Sequence, residues 1–491
     1  MKYYCVHHEL ATVLKLHTVR VGGHGYYVKE LPQGREAGTG LTGERPGRWM
    51  GRAAEGLGLG DRVEAEAFAD VLSGRNPILG RPLPVKRDLV TVAAYDLVFC
   101  APKSVSLLHA LGSAELSSEV GAGHDAAVHA TTDYLARVAL GVRRQAQGRS
   151  RTVLPTTGMM AGAFLHRTSR ALDPHLHTHV VEVNVAQGID GVWSAVDGRG
   201  LFAHRAAAGR LYQAHLRQEL TARLGVAWDV RPTGLGDVVG VEPGLRGLFS
   251  QRSAAIKEYM AERSGRASAR GAFYATRADK DRTVSVEALA PRWRARADEF
   301  GYDVGVLNRV VGLNRVVSRE RDSQSFDAER LQSSLHECAR PDATLSRRDI
   351  ISAVAAARIG GARVADVEAA VDRLCSVAQP TVENPPVRIR RWAVPALTEA
   401  ARACENELTL RSESRVHGRS TEREPRERSN GSSTPRLAAR ERHRDERGRD
   451  SRQRKERDMR RDAERDTGRE RGRNRGPDLG RDRGFDSGLG R

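Results

Sequence analysis

The sequence lacks the features of a membrane or secreted protein. None of its apolar stretches approaches the roughly 20 consecutive residues that a membrane-spanning helix requires. The amino-terminal segment MKYYCVHHELATVLKLHTVRVGG also lacks the basic-then-apolar layout of a secretory signal. No CxxC pair occurs, which argues against a disulfide framework and a cysteine-based zinc site; the five cysteines are Cys5, Cys100, Cys338, Cys375 and Cys404. We therefore expect a cytoplasmic protein with ordinary thiols.

Acidic residues are outnumbered by basic ones. The 80 Lys and Arg against 62 Asp and Glu give a net charge of +18 over 491 residues. A strongly basic soluble protein commonly binds a polyanion, and nucleic acid is the most abundant one. Half of the excess lies in residues 411–491, where 26 Lys and Arg stand against 17 Asp and Glu, a difference of +9. This segment has almost no aliphatic residues and is predicted to be disordered; it is either a weak binder of nucleic acid backbones or a solubilising tail.

A short tandem duplication marks a boundary in the rest of the chain. The pentapeptide LNRVV occurs at 307–311 and again at 313–317, which is typical of a connecting segment rather than of a repeat architecture. We therefore divide the chain into a first domain (1–305), a linker (306–323), a second segment (324–405) and the Arg-rich tail (406–491). In the second segment LSRRDIISAVAAARI, with Ser346 placed to cap it, and VADVEAAVDRLCSVA have helical spacing. They predict a small helical module without visible chemistry.

The first domain mixes strand and helix signals. Segments rich in Val and aromatic residues predict strands at 90–99, 159–166, 175–187 and 191–196. Pro102 stands where a first helical turn should start, so KSVSLLHALG is predicted as a helix, followed by the amphipathic GHDAAVHATTDYLARVAL. A third helix, AHRAAAGRLYQAHLRQELTARL, is predicted to end at Gly225 in a left-handed cap. Strands joined by short loops indicate an α+β fold, an antiparallel sheet flanked by helices.

Histidines are concentrated in the segment HRTSRALDPHLHTHVV, residues 166–181. On a strand, residues two apart project from one face, so His177 and His179 should lie side by side. The ten residues between His166 and His177 leave room for a return connection that brings His166 next to this pair. Three neutral imidazoles without carboxylate or thiolate would leave coordination positions open, as catalytic metal sites do. From the spacing alone, a metal site and an ordinary polar strand face are about equally favoured.

The same segment resembles the metal-binding motif of the TrwC-like (MobF) conjugative relaxases, which are HUH endonucleases. YDLVFCAPKSVSLLHALG (95–112) is similar to the family block that carries an essential Asp, and GYYVKE followed by ERPGRWMGRAAEGLGL resembles the amino-terminal tyrosine region. With the helix after DGRGLFAHRAAAGRLYQ, the resemblance spans residues 20–300. It implies the palm-like HUH endonuclease fold and a divalent metal cofactor: Mg²⁺ or Mn²⁺, with Zn²⁺ as another option.

The resemblance also implies roles for individual residues. His166, His177 and His179 match the metal ligands, whereas His175 stands where relatives commonly carry Gln and is placed outside the ligand set. Asp96 matches the acidic residue that accepts a proton from the nucleophile or orients a ligand histidine. A charged Asp on a buried strand independently favours a partnered role; the alternative is an Asp bonded to backbone at a strand end.

Tyr26 and Tyr27 match a tyrosine pair of the family and are the implied nucleophiles. A tyrosine hydroxyl would attack a DNA phosphodiester and hold the strand as a phosphotyrosine. Because a phenol has a pKa of about 10, it needs a base, and a metal to stabilise charge on the phosphate. Relatives often carry an earlier tyrosine or tyrosine pair, but residues 10–19 contain none, and the nearest are Tyr3 and Tyr4. Which tyrosine makes the first cut therefore stays open.

Four residues are candidates for contacts with DNA. Lys103 stands at a predicted helix start, where backbone amides also favour phosphate, and Arg170 lies between the implied ligands. Arg48 and Trp49 in PGRWMG offer a cation for the backbone and a ring for base stacking. Each is also compatible with an ordinary surface position.

The function implied by the resemblance is that of a site- and strand-specific single-stranded DNA endonuclease and strand transferase. It would nick at an origin of transfer, hold the 5′ end on tyrosine and religate during conjugative plasmid mobilisation. The alternatives are an HUH-type replication initiator or transposase and a non-catalytic origin-binding remnant; a small-molecule hydrolase with three histidines is disfavoured by the basic charge.

The implied partners include a separate source of DNA unwinding. Full-length relatives continue into an ATP-driven helicase, and the helical module at 324–405 resembles the segment that leads into it. No GxxxxGK[ST] loop, however, occurs in this sequence. We expect a relaxase that lacks its motor, naturally or by truncation, and works with a separate helicase. Accessory origin-binding proteins and a type IV secretion coupling protein are the other expected partners, and no membrane insertion is expected.

Overall fold

The structure is a computed structural model. It describes residues 14–22, 45–83, 91–145, 151–263, 271–272, 275–276, 286–312, 328–339, 342–378, 380, 382–384 and 389–404. The strands up to residue 312 are β1 (Leu14–Arg20), β2 (Arg48–Met50), β3 (Val92–Cys100), β4 (Gly141–Gln145), β5 (Arg151–Pro155), β6 (Ala161–Thr168), β7 (Pro174–Val183), β8 (Ala186–Gln187), β9 (Trp193–Ser194), β10 (Trp228–Val230) and β11 (Gly236–Val238). The helices over the same part are α1 (Arg52–Gly56), α2 (Ala65–Leu72), α3 (Lys103–Leu111), α4 (Ala114–Val138), α5 (Arg199–Leu224), α6 (Pro243–Leu248), α7 (Gln251–Glu262), α8 (Val286–Glu299) and α9 (Val306–Arg309).

A five-stranded antiparallel sheet positions the site. Its strand order is β1-β3-β7-β6-β2. The central strands β3 and β7 are buried almost throughout because both faces are covered. Alternate residues such as Leu97 and Val180 join the main core with α4 and α5, whereas Phe164 and Val181 join a second core with Phe68 of α2. The predicted α+β fold is confirmed.

Local signals located one end each of α3 and α5. Pro102 precedes the first turn of α3, and Gly225 ends α5 with φ 62°, the predicted left-handed cap. Helix α4 begins earlier than predicted, because the side chain of Ser113 caps it by accepting a hydrogen bond from the Leu116 amide.

The carboxy-terminal segment combines helices with a small sheet. Its elements are α10 (Ala328–Cys338), β12 (Thr344–Ser346), α11 (Arg347–Ala357), α12 (Val364–Val377), β13 (Val382–Asn384) and β14 (Ile389–Ala393), followed by helical residues 394–404. The two predicted helices are present, and Ser346 caps α11 in a reciprocal capping box with Asp349. The antiparallel sheet, in the order β12-β14-β13, was not predicted because its strands have only three to five residues. This order of elements is that of a winged helix-turn-helix, with α11 and α12 as its paired helices.

The segment 328–404 packs on the outer side of α5, away from the sheet. The amide of Ala362 donates to the carbonyl of Ala214 at 3.0 Å, and Arg137 of α4 pairs with Glu368 of α12 at 2.7 Å. Apolar residues of α11 and α12 belong to the same core as α5. The proposed domain limits stay a prediction: the first LNRVV copy overlaps α9, and the second copy and the Arg-rich tail lie outside the described residues. None of the described helices is long and apolar enough to cross a membrane.

Candidate metal centre

The three predicted histidine ligands lie on one hairpin. Strands β6 and β7 pair so that His166 is directly opposite His177, and Phe164 is opposite His179. The connection closes tightly, because the amide of Ser169 donates to the Asp173 carbonyl at 2.8 Å. All three imidazoles therefore project from the sheet face that carries the second core, the face opposite α4 and α5.

The three rings converge on one point. One nitrogen from each of His166, His177 and His179 can be chosen so that all lie within 4.8 Å of one another. The ring centroids are 5.1 to 5.3 Å apart. These separations suit three imidazoles that share one cation, and no other group of three or more potential ligands was found among the described residues.

The environment keeps two of these rings uncharged. Burial lowers the pKa of His166 well below its usual value and that of His177 to about 3, and the neighbouring histidines add to both shifts. A neutral imidazole has a lone pair for a metal, whereas an imidazolium does not. The burial of this cluster thus favours the form that binds metal.

Asp96 orients one of the histidines. It is 2% exposed on β3, and both of its carboxylate oxygens accept from Nδ1 of His179, at 2.9 and 3.0 Å. Because Nδ1 carries the proton, Nε2 of His179 is left with the lone pair. The alternative reading, an Asp bonded to backbone at a strand end, does not describe this contact.

His177 is oriented by its own strand. Its Nδ1 donates to the carbonyl oxygen of His175 at 2.9 Å, which again leaves Nε2 as the acceptor. The half-buried ring of His175 stacks on that of His177 with centroids 4.7 Å apart. His175 is outside the three-residue group, as its place in the motif predicts.

The donor set fits a divalent cation. Nδ1 of His166 is buried and has no hydrogen-bond partner among the described residues. The protein's own hydrogen bonds therefore do not occupy this nitrogen. Three histidine nitrogens without a thiolate, two of them on rings oriented by hydrogen bonds, are a ligand set for Zn²⁺ and other first-row metals. They leave further coordination positions for substrate.

The predicted DNA contacts are distributed around the centre. Lys103 donates to the carbonyl oxygen of Pro174 at 2.6 Å, at the start of β7, and burial lowers the pKa of its ammonium group to about 8. Arg170 lies half-buried in the loop between β6 and β7. Lys103 thus supports the ligand strand in this structure.

Arg48 and Trp49 point to opposite faces of β2. Arg48 is 65% exposed and pairs with Asp125 of α4 at 3.2 Å, whereas Trp49 packs edge-on against Phe68 in the second core, with centroids 5.8 Å apart. Adjacent residues of a strand cannot share a face. Only Trp49 is therefore on the face of the histidines.

The predicted nucleophiles Tyr26 and Tyr27, like Tyr3 and Tyr4, lie outside the described residues. The strand that precedes Tyr26 in the chain, β1, is the neighbour of β3 and sets His17 opposite Asp96. The side chain of His17 is exposed, and partial desolvation lowers its pKa while the charge of Asp96 opposes this shift. Sequence reasoning missed His17 because a single histidine on an edge strand has no diagnostic spacing.

Comparisons with known proteins point in one direction. The model of the TrwC relaxase family matches residues 2–300. The multifunctional conjugation protein TraI of Escherichia coli is 34% identical over 276 residues, which cover 54% of this chain. The chain spans only about 15% of the length of that curated relative.

Solved structures give the same match. A metal-bound conjugative relaxase TrwC in complex with oriT DNA is 28% identical, with a TM-score of 0.52. TrwC complexed with a 27-mer DNA that comprises the recognition hairpin and the cleavage site is 29% identical, with a TM-score of 0.51. Each covers 59% of this chain and 99% of the TrwC chain.

Proposed function

The chain belongs to the TrwC relaxase family, and we propose on this basis that it is a metal-dependent DNA relaxase. It nicks one strand at an origin of transfer, keeps the 5′ end on a tyrosine and later rejoins the strand. The observation that carries the proposal is the convergence of three histidines, one of them held by a buried Asp, on one face of the family's sheet.

The metal ligands in this proposal are His166, His177 and His179. A bound divalent ion would polarise the scissile phosphate and stabilise the charge that builds up on it. Mg²⁺ and Mn²⁺ are the proposed ions in the cell, with Zn²⁺ as the alternative that the all-histidine set also favours. Asp96 acts by orienting His179, to whose Nδ1 both of its carboxylate oxygens are hydrogen-bonded.

Tyr26 or Tyr27 supplies the nucleophile. Its hydroxyl oxygen forms a bond to the phosphorus while the bond from phosphorus to the 3′ oxygen breaks. The phenolic proton passes to a base, and the leaving 3′ oxygen takes up a proton. The products are a 5′-phosphotyrosine and a free 3′ hydroxyl. Because one phosphate ester replaces another, the bond energy is retained and the reverse reaction rejoins the strand.

Single-stranded DNA is the proposed substrate. The net charge of +18 favours association with it, and TrwC, which the chain resembles, has been solved in complex with oriT DNA. The proposal includes a separate helicase that unwinds the DNA, accessory origin-binding proteins and a type IV secretion coupling protein. The proposed place of the reaction is the cytoplasm.

A covalent-adduct assay tests the proposal. The full chain is incubated with Mn²⁺ or Mg²⁺ and labelled single-stranded oligonucleotides that tile the DNA next to its reading frame, and adducts are resolved in denaturing gels. We expect a metal-dependent adduct that disappears in the double variant Tyr26→Phe plus Tyr27→Phe. The matched control, Tyr3→Phe plus Tyr4→Phe, should keep it.

The other outcomes separate the alternatives. Tight DNA binding without any adduct would favour a non-catalytic origin-binding protein. An adduct whose cleaved phosphodiester maps to a replication origin or to an element end would favour an initiator or a transposase of the same chemistry. Loss of the adduct in the Tyr3 and Tyr4 variant would move the first cut to the amino terminus.

A further inference from the structure

We propose that His124 is a positioning residue for the metal centre, which acts through Thr178 to hold the strand that carries two of the ligands. The inference rests on the proposed function, because it assumes that His177 and His179 bind a metal ion. It concerns the helix side of the sheet, on which no metal ligand lies.

Thr178 stands between the two ligands on β7. Since side chains alternate along a strand, His177 and His179 face the metal centre while Thr178 faces α4 and α5. Thr178 is 4% exposed, and its hydroxyl lies 2.8 Å from Nε2 of His124, in the middle of α4. The point of attachment is therefore the residue whose backbone links the two ligands.

The other nitrogen of His124 is held as well. Nδ1 lies 2.7 Å from the hydroxyl of Tyr212 on α5, and neither His124 nor Tyr212 is exposed to any extent. Burial lowers the pKa of His124 to about 3, so the ring is neutral, with one donor and one acceptor. Two hydroxyls, each able to donate or accept, satisfy both nitrogens. The strand is thus tied to both helices through one ring.

This link supplies what the other contacts of the ligands do not. Asp96 and the carbonyl of His175 each fix the plane of one imidazole, but neither fixes the height of the β7 backbone above the centre. A shift of Thr178 would move His177 and His179 together, relative to His166 on the neighbouring strand. Loss of a partner that orients a metal ligand typically weakens metal affinity about 10- to 100-fold.

Cobalt titration of the full chain tests the inference. Co²⁺ serves as the probe, because its visible absorption reports both affinity and ligand geometry. We expect Thr178→Val, which keeps the shape but loses the hydroxyl, to weaken the dissociation constant about tenfold and to change the absorption band. Thr178→Ser, which restores the hydroxyl, should bring both back towards wild type.

A matched control is available on the same two helices. Tyr134 of α4 is as buried as Tyr212 and also bonds a histidine, with its hydroxyl 2.9 Å from Nδ1 of His204, but among the described residues no hydrogen bond joins it to β7. Tyr212→Phe should weaken Co²⁺ binding, whereas Tyr134→Phe should not. A general loosening of the helices would affect both variants alike.

The outcomes distinguish this inference from the proposed function. If Thr178→Val and Tyr212→Phe bind Co²⁺ as tightly as Tyr134→Phe, the positioning role is wrong and the relaxase proposal is untouched. If the wild-type chain binds no Co²⁺, the proposed metal centre is wrong, and so is this inference, which depends on it. Should Thr178→Val fail to fold, Tyr212→Phe, which leaves the ring in place, decides the question.

Discussion

Substitution of Arg217 tests most directly how the carboxy-terminal segment is attached to the rest of the fold. This side chain of α5 is fully buried and donates to four backbone carbonyls: Ile359 at 3.1 Å, Gly234 at 2.7 Å, Ala355 at 3.3 Å and Arg358 at 2.8 Å. Three of these carbonyls belong to the end of α11 and the two residues after it, where a cation is favoured. One guanidinium thus joins α5, the β10–β11 turn and the carboxy-terminal segment.

The expected cost of Arg217→Met follows from these contacts. Each buried acceptor left without a partner costs about 1 to 3 kcal/mol, but the substitution also removes the penalty of burying a cation, and some carbonyls will find water. We therefore expect the free energy of unfolding to fall by about 3 to 5 kcal/mol, less than the sum for four carbonyls left unpaired.

Arg223→Met is the matched control on the same helix. Arg223 is 34% exposed and pairs at the surface with Glu119 at 3.0 Å and Glu219 at 3.1 Å, contacts worth less than about 1 kcal/mol. Urea denaturation followed by circular dichroism compares the two variants with wild type. If Arg217→Met lies within about 1 kcal/mol of Arg223→Met, the guanidinium does not hold the segment and the reasoning is refuted.

Other perturbations have equally definite outcomes. Asp96→Asn should weaken Co²⁺ binding about 10- to 100-fold, because an amide holds the Nδ1 proton of His179 less strongly than a carboxylate; an unchanged titration would contradict this role. Glu182 is fully buried, and burial raises its pKa well above 4.5. The folded state therefore keeps a proton that the unfolded state releases, and stability falls by about 1.4 kcal/mol per pH unit between the two pKa values. We expect Glu182→Met to be more stable than wild type by an amount that grows with pH. Urea denaturation of both proteins across a pH series measures this difference, and a gain in stability that does not change with pH would contradict the prediction. Ser346→Ala should cost about 1 kcal/mol through the lost cap of α11, measured against Ser376→Ala, an exposed serine near the end of α12.

The clustering of the three histidines was predictable because its information is local. The period of two along β7 fixes His177 and His179 on one face, and a short hairpin fixes which strand lies next to them. Helix ends were predictable for the same reason, since Pro102 and Gly225 act on their own turns. These signals need no knowledge of the rest of the fold.

The contacts that support the centre were not predictable. His124 and Thr178 are 54 residues apart, and nothing in the helix pattern of α4 distinguishes a histidine that meets a strand from one that faces water. The sequence also does not show that Arg217 is buried, because an arginine in an amphipathic helix is ordinarily exposed. Both depend on tertiary packing, which places two distant segments on either side of one buried side chain.

The docking of the carboxy-terminal segment bears on what that segment can do. In a winged helix-turn-helix that reads DNA, the second helix of the pair enters the major groove with its first turn. Here the turn before α12 packs closely against α5. Gly361 in this turn has φ 86°, and a side chain at this position would overlap the backbone of Ala214 and Gln218. The amide of Val364, the first residue of α12, lies 3.3 Å from Nδ1 of His215. The exposed residues of α12 carry both signs of charge, Asp366 and Arg373 among them, and Asp372 pairs with Arg347 at 2.6 Å. The start of α12 is therefore covered by α5 in this structure, and a DNA groove could reach it only if these contacts were broken.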